Sequence, residues 1–370
     1  MIVVLSGVHI RFLVNIRQLP KQTNFLPIQT MKLGDISISY ARLLLDTVQQ
    51  LEGDHASLSE QYQLATKLNR PGERVSIPRF MRMGFSAIQD TGRPDVGLEM
   101  GKHVRIPLLG LPGFLAMTAP NLAKACQVIT MYERLSSTNC RGQSQFYMDN
   151  GKGIASFYSI SPYNEYNLFV VDSVLSSWYR VIQWLTGKND AVERVEVEFD
   201  EPDYVQAYHA FFNCPVLFGQ KRNCLVIRSD ALNWPLLQSD PITYQSMKVI
   251  CDQQLAEATR NRNLSEKVRD VISPLLEGQT PSIEQVAENL GMPPWTLRRK
   301  LQDEETSFQD LLNETRQGLA ESYIKDTDLA LGEIAYLLGF SSPTAFQRAF
   351  KRWTGQSPGQ YRKQRRLLAV

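Results

Sequence analysis

Apolar residues recur at two different periods along this chain, and the change of period divides it. From Tyr40 to Leu51 and from Leu122 to Leu135 they fall three and four positions apart, as on one face of a helix. Gly153–Ile160 and Arg194–Phe199 alternate apolar with polar, the pattern of half-buried strands. Val170 to Leu185, with two tryptophans, predicts a helix with a buried face. The first 245 residues or so are therefore of mixed α and β character. Beyond them the period is helical.

The last quarter contains a repeat. Residues 285–301 (QVAENLGMPPWTLRRKL) are echoed at 333–350 (EIAYLLGFSSPTAFQRAF), each reading as helix, tight turn, helix. Ala287 aligns with Ala335, Leu290 with Leu338 and Gly291 with Gly339 at one offset. Leu297 with Phe346, Arg299 with Arg348 and Leu301 with Phe350 align at an offset one larger, which places an inserted residue in the second turn. A small Ala allows close helix approach, and a Gly after the last apolar residue ends a helix through a left-handed turn. The units span about 282–302 and 331–354. Two helix-turn-helix units in tandem predict a DNA reader.

With Leu297 and Leu301, or Phe346 and Phe350, turned inward, the opposite face of each second helix is defined. In the first unit Trp295, Arg298, Arg299 and Gln302 form a stripe at i, i+3, i+4, i+7, with Thr296 beside it. In the second, Thr344, Gln347, Arg348 and Lys351 repeat that spacing. Arg pairs bidentately with guanine, and amide and hydroxyl groups suit base edges or phosphates. One such stripe reads equally as a solvated helix face. Its recurrence, each time behind a tight turn, favours DNA contact.

Residues 264 to about 366 resemble the DNA-binding domain of the AraC/XylS family of bacterial transcription regulators, most clearly in the run Glu333–Arg362. The resemblance implies that each second helix enters a major groove and that a central helix, here Ser307 to Lys325, joins the units. The residues support that helix independently: Phe308, Leu311, Leu312, Thr315, Leu319, Ser322 and Tyr323 recur at helical spacing, although Gly318 weakens it by about 1 kcal/mol relative to Ala. Pro293-Pro294 departs from the family pattern. Pro suits the first turn of a helix, so a rigid turn is expected. Residues 31–245 resemble the arabinose-binding-like domain that accompanies one branch of the family, through Arg93–Lys102, Pro107–Ala116 and Tyr208–Asn223.

The expected fold class is thus α+β: a mixed sensor and dimerisation domain over 31–245, a linker over 246–263, and an all-α DNA-binding domain over 264–370. The segment 247–262 is helical in pattern and fits either a dimer-supporting helix or a plain linker. The resemblance implies a homodimer on double-stranded promoter DNA, activation more than repression, RNA polymerase as a further partner, and control by a small-molecule or protein effector. It implies no cofactor.

Net charge, only +2, does not by itself point to nucleic acid. Its placement does: after Glu333 there is no acidic side chain, while Arg348, Lys351, Arg352, Arg362, Lys363, Arg365 and Arg366 supply cations. Phosphate contact through Arg362 and a frayed basic tail both fit. No apolar run is long enough to span a membrane. The first thirty residues lack a basic leader and a cleavage site and read as an N-terminal extension of a cytoplasmic protein. Five cysteines without C-x-x-C spacing, and four scattered histidines, carry no zinc pattern. The resemblance extends to alkyl-transfer repair proteins that carry such a DNA-binding domain, but no neighbouring His or Arg activates Cys214, and a core role is expected. No phosphate loop, nucleophile elbow or dinucleotide fingerprint is present, so no enzyme activity is expected. Tyr158, Tyr163, Tyr166, Trp178, Tyr179 and Trp184 fit a pocket lining or, more readily, a core.

Overall fold

Two large hydrophobic cores form, one from Ile38 to Cys251 and one from Val268 to Phe350, on either side of the change in period. The structure, a computed structural model, describes residues 34–367 except 71, 140, 141, 143, 160–164, 261, 277 and 328. The N-terminal extension, Cys140 and Tyr163 lie outside the described residues, as do the side chains of Tyr166, Arg365 and Arg366.

The first core is built from β1 (Gly34–Ser37), α1 (Ile38–Gln50), α2 (His55–Gln61), β2 (Arg74–Ser76), α3 (Ile77–Thr91), α4 (Val96–His103), α5 (Leu111–Met117) and α6 (Leu122–Met131). There follow β3 (Ser137–Asn139), β4 (Gln145–Asp149), β5 (Lys152–Phe157), α7 (Glu165–Thr186), β6 (Val192–Glu196), α8 (Val205–Phe211), β7 (Val216–Leu217), β8 (Asn223–Ile227) and α9 (Pro241–Thr259). A three-stranded antiparallel sheet has the order β2-β1-β3. A five-stranded sheet has the order β4-β5-β8-β6-β7, antiparallel except for the β6–β7 pair. Alternation divides β8 between its faces: Leu225 and Ile227 join the main core, while Cys224 and Val226 meet Ile154 on the other side.

Helix α7 runs through the middle of this domain because its neighbours offer glycine where it passes. A Cβ at Gly84 on α3 would lie 2.1 Å from the Phe169 ring, and one at Gly97 on α4 would lie 2.6 Å from Asp172 Cβ. Asp172 is fully buried there. The Tyr204 hydroxyl donates to it at 2.8 Å and the Tyr208 hydroxyl donates to its other oxygen. Burial pushes this carboxyl up to about 7, against the pull of both hydrogen bonds.

Two elements differ from the pattern expected of them. The helix expected over Leu122–Leu135 is α-helical to Met131 and then tightens into a 3₁₀ turn at Glu133–Leu135. The segment 246–263, expected as a linker of helical pattern, is helical as far as Thr259 and differs in being packed. Tyr244 and Cys251 are buried in the first core, with Met247 and Leu255 against it, a helical stripe masked in the sequence by the polar residues between them. Only residues 260–263 separate α9 from the next helix.

The second core is all helical: α10 (Leu264–Leu275), α11 (Ile283–Asn289), α12 (Pro294–Asp303), α13 (Phe308–Asp326), α14 (Leu331–Leu337), α15 (Pro343–Thr354) and α16 (Pro358–Leu367). The expected central helix is α13, capped by Ser307, whose Oγ accepts from Asp310 N at 3.2 Å. Among the described residues, no helix is long and apolar enough to cross a membrane.

Candidate nucleic-acid interface

Each unit is shaped by its caps. In the first, Ser282 and Gln285 form a reciprocal capping box at the start of α11. Gly291 takes the left-handed turn at φ +64°, and Pro293, extended at ψ 145°, hands over to Pro294 in the first turn of α12. The two prolines thus make the rigid entry expected of them. In the second unit, Glu333 reaches back to Ala330 N at 2.6 Å and Ser342 Oγ accepts from Ala345 N at 3.2 Å. The second turn is one residue longer, as the offset in the repeat requires. Gly339 is doubly constrained. Its φ is +65°, and a Cβ there would lie 2.1 Å from the Gln279 carbonyl oxygen.

Leu297 and Leu301 are buried in α12, and Phe346, Ala349 and Phe350 in α15. The opposite faces are open. Trp295 is 65% exposed, and Arg298, Arg299 and Gln302 are exposed with it. Thr296, half-buried, lies on the flank of this stripe. Arg298 Nη2 is 3.7 Å from Glu284 Oε1, with both side chains more than 60% exposed. A pair this long and wet contributes under about 1 kcal/mol, so Arg298 is free to exchange partners. The Arg299 guanidinium lies 5.8 Å from the centre of the Trp295 ring. On α15, Thr344, Gln347, Arg348 and Lys351 are exposed, and no hydrogen bond or ion pair engages the side chains of the last three among the described residues.

Arg362 does not join these stripes. Its Nη2 donates to the Leu329 carbonyl at 2.6 Å, and the half-buried side chain ties α16 to the segment entering α14. The adjacent Tyr361 packs edge-on against Phe350, ring centres 5.4 Å apart. Arg362 thus makes a structural contact of its own, because α16 folds back onto the second core.

Arg316, which the sequence pattern does not mark, holds the second unit to α13. Buried on the central helix, it donates from Nε to the Leu338 carbonyl at 2.9 Å. Its Nη2 donates to the Gly339 carbonyl at 2.9 Å and to Thr280 Oγ1 at 2.6 Å. These are carbonyls that the end of α14 leaves without helical partners. The guanidinium also lies 4.8 Å from the Phe340 ring centre. The available signal was a cation in the buried stripe between Thr315 and Leu319.

Residues 53–236 match the family described as the arabinose-binding domain of AraC transcription regulators, and residues 286–364 match a helix-turn-helix domain family. The ornithine utilization regulator of Pseudomonas aeruginosa is 28% identical over 329 residues, covering 89% of this chain and 96% of that protein. The chain belongs to the AraC family of transcriptional regulators. The regulator is also similar to the transcriptional regulator VirS of Mycobacterium tuberculosis, 27% identical over 298 residues, covering 78% of this chain and 84% of that one. Among solved structures it is similar to the transcriptional regulator CdpR of Pseudomonas aeruginosa, with 21% identity, a TM-score of 0.40, and coverage of 83% of this chain and 97% of that one. Cys214, the one candidate nucleophile, is partly buried, and burial pushes its thiol up to about 12, opposite to what activates a thiolate.

Proposed function

We propose that the regulator binds promoter DNA sequence-specifically in the cytoplasm, with α12 and α15 each laid in a major groove. The observation that carries this reading is the recurrence of one exposed stripe on the second helix of both units, opposite a fully buried one. Arg298 and Arg348 read base edges, Gln347 and Thr344 assist, and Trp295, Thr296, Arg299, Gln302 and Lys351 serve groove walls and phosphates. The second unit is the stronger phosphate holder, since no acidic side chain follows Glu333.

A homodimer is the assembly this reading favours, with α9 as the contact between copies. Opposite its core-facing residues, α9 carries Ile242, 80% exposed, and Val249, 54% exposed, flanked by Ile250. A helix apolar on two faces, one buried and one bare, suits a second copy. Activation through RNA polymerase, under effector control from the N-terminal domain, completes the proposal.

The test is genome-wide recovery of DNA bound by purified full-length protein, beside an Arg298→Ala, Arg348→Ala double variant. A sharp motif with two related half-sites, lost in the variant, is expected. Diffuse, salt-labile recovery equal for both proteins would refute base reading.

A further inference from the structure

A cavity of about 120 Å³ opens in the N-terminal domain between the three-stranded sheet, α3 and α7. Its walls are largely apolar: Phe80 from α3, Phe157 from β5, and Val174 and Trp178 from α7. Of the aromatics singled out in the sequence, Tyr158 and Trp178 line it, Tyr179 is core, and Trp184 is exposed. At about 30 Å³ per water the volume holds about four waters, or a body of about five non-hydrogen atoms, since a cavity of about 150 Å³ accepts benzene.

Polar side chains interrupt the apolar lining, among them Thr138, Asn139, Asn167 and Ser173, and two of the polar groups, on Glu133 and Tyr40, retain unused hydrogen-bonding capacity. Glu133 accepts from Ser144 N at 2.8 Å, Ser144 Oγ at 2.6 Å and Ser137 Oγ at 3.3 Å. A carboxylate accepts at about four positions, so one remains open. Among the described residues no cation lies within ion-pair distance of Glu133, and burial pushes its carboxyl above the usual range against the pull of its hydrogen bonds and of the Arg134 charge. The Tyr40 hydroxyl, facing the same cavity near Glu133, has no hydrogen bond among the described residues. A mainly apolar chamber with a buried carboxylate that keeps an open acceptor position, and an idle hydroxyl, suits a charge-assisted donor carried on a hydrocarbon body.

The turn that carries Glu133 reaches further. The preceding Tyr132 hydroxyl donates to Asp252 on α9. The following Arg134 pairs with Asp270 on α10 of the DNA-binding domain, Nη2 to Oδ2 3.0 Å, and Arg262 grips the same carboxylate at 2.6 Å. Three consecutive residues thus touch the interdomain helix, the cavity and the DNA-binding domain.

We propose that this cavity is the effector site, that it takes a small molecule with a cationic amine head and an apolar body of about five non-hydrogen atoms, and that its occupancy is relayed through the Arg134–Asp270 pair. The relay rests on the chain being a DNA-binding regulator; the ligand site does not.

The test uses the full-length protein, titrated with pentylamine and cyclopentylamine and with their neutral counterparts pentanol and cyclopentanol, followed by calorimetry and tryptophan fluorescence. At least one amine is expected to bind about tenfold or more tightly than its alcohol. Glu133→Gln should abolish that preference while leaving alcohol binding in place. Val174→Phe, which fills the chamber from its apolar side, should weaken both. Binding of neither amine, equal binding of amine and alcohol, or full binding to Val174→Phe would overturn the site. For the relay, the affinity of the bound DNA motif is measured with and without the amine. A change that disappears in Arg134→Ala supports it, and unchanged DNA affinity at saturating amine overturns the relay alone. Failure of the ligand-free protein to bind any DNA motif would instead count against the function proposed above.

Discussion

Replacing Arg316 with Met should loosen the second helix-turn-helix unit while sparing the first. The substitution keeps most of the buried volume and removes three hydrogen bonds from a charged donor. The losses are unequal. The Gly339 carbonyl retains Thr280 Oγ1 at 3.2 Å, and Thr280 itself is exposed and can turn to water. The Leu338 carbonyl is buried and loses its side-chain donor. An orphaned buried acceptor costs about 1–3 kcal/mol. Loss of the charge-assisted bonds adds to this, and relief from burying a guanidinium subtracts. A net cost of about 2–3 kcal/mol follows, below the roughly 5–15 kcal/mol that holds a domain folded. The domain therefore survives and local opening becomes more frequent. Hydrogen–deuterium exchange should be about 30- to 150-fold faster over Leu331–Thr354, since each 1.4 kcal/mol is a factor of about ten. Amides of Ile283–Asp303 are the internal control. Arg316→Lys should recover only part of the protection, because an ammonium cannot reproduce the fork that spans both carbonyls. Unchanged exchange in the second unit, or an equal rise in both units, would refute this account of Arg316 as the local clamp.

Three further predictions follow from named groups. Because the folded pKa of Asp172 is raised to about 7 from its ordinary 3.8, the folded state keeps a proton that the unfolded state has lost between those values. The stability of the N-terminal domain should then fall as pH rises from about 4 to 7 and level off above, and Asp172→Asn should flatten that slope in urea titrations; a slope left intact would sink the assignment. Arg298→Ala should weaken operator binding by about 1–3 kcal/mol and relax preference at one base pair, whereas Lys351→Ala should weaken all sequences alike and flatten the salt dependence. Randomised-site selection with both variants separates base reading from phosphate holding, and an unaltered Arg298→Ala motif would remove Arg298 from the reading set. An Ile242→Glu, Val249→Glu variant should sediment as a monomer with the N-terminal core intact, and a dimer of unchanged affinity would exclude the bare face of α9 as the contact.

Local periodicity alone sufficed for much of the DNA-binding half. The two units, the central helix from Phe308, the proline entry to α12 and the glycine exits at Gly291 and Gly339 all depend on residues within one or two helical turns of each other. The outward stripes on α12 and α15 follow from the same period once Leu297 and Phe346 face inward. In the N-terminal half, strand alternation marked β5 and β6, yet the parallel pairing of β6 with β7 was invisible, since pairing is a relation between distant segments. The same reason hid the second face of α9 and the fate of Arg362, whose helix folds back toward Leu329. It hid Glu133 as well, which looks like an ordinary polar helix residue until the Glu133–Leu135 turn carries it to a cavity wall. What a residue does on its own helix is settled by neighbours a few positions away, and the sequence of this protein determined that much. What it meets across the core is settled by side chains as far as 136 positions distant, and only the tertiary structure decided which buried cation clamps a turn and which buried anion faces a chamber.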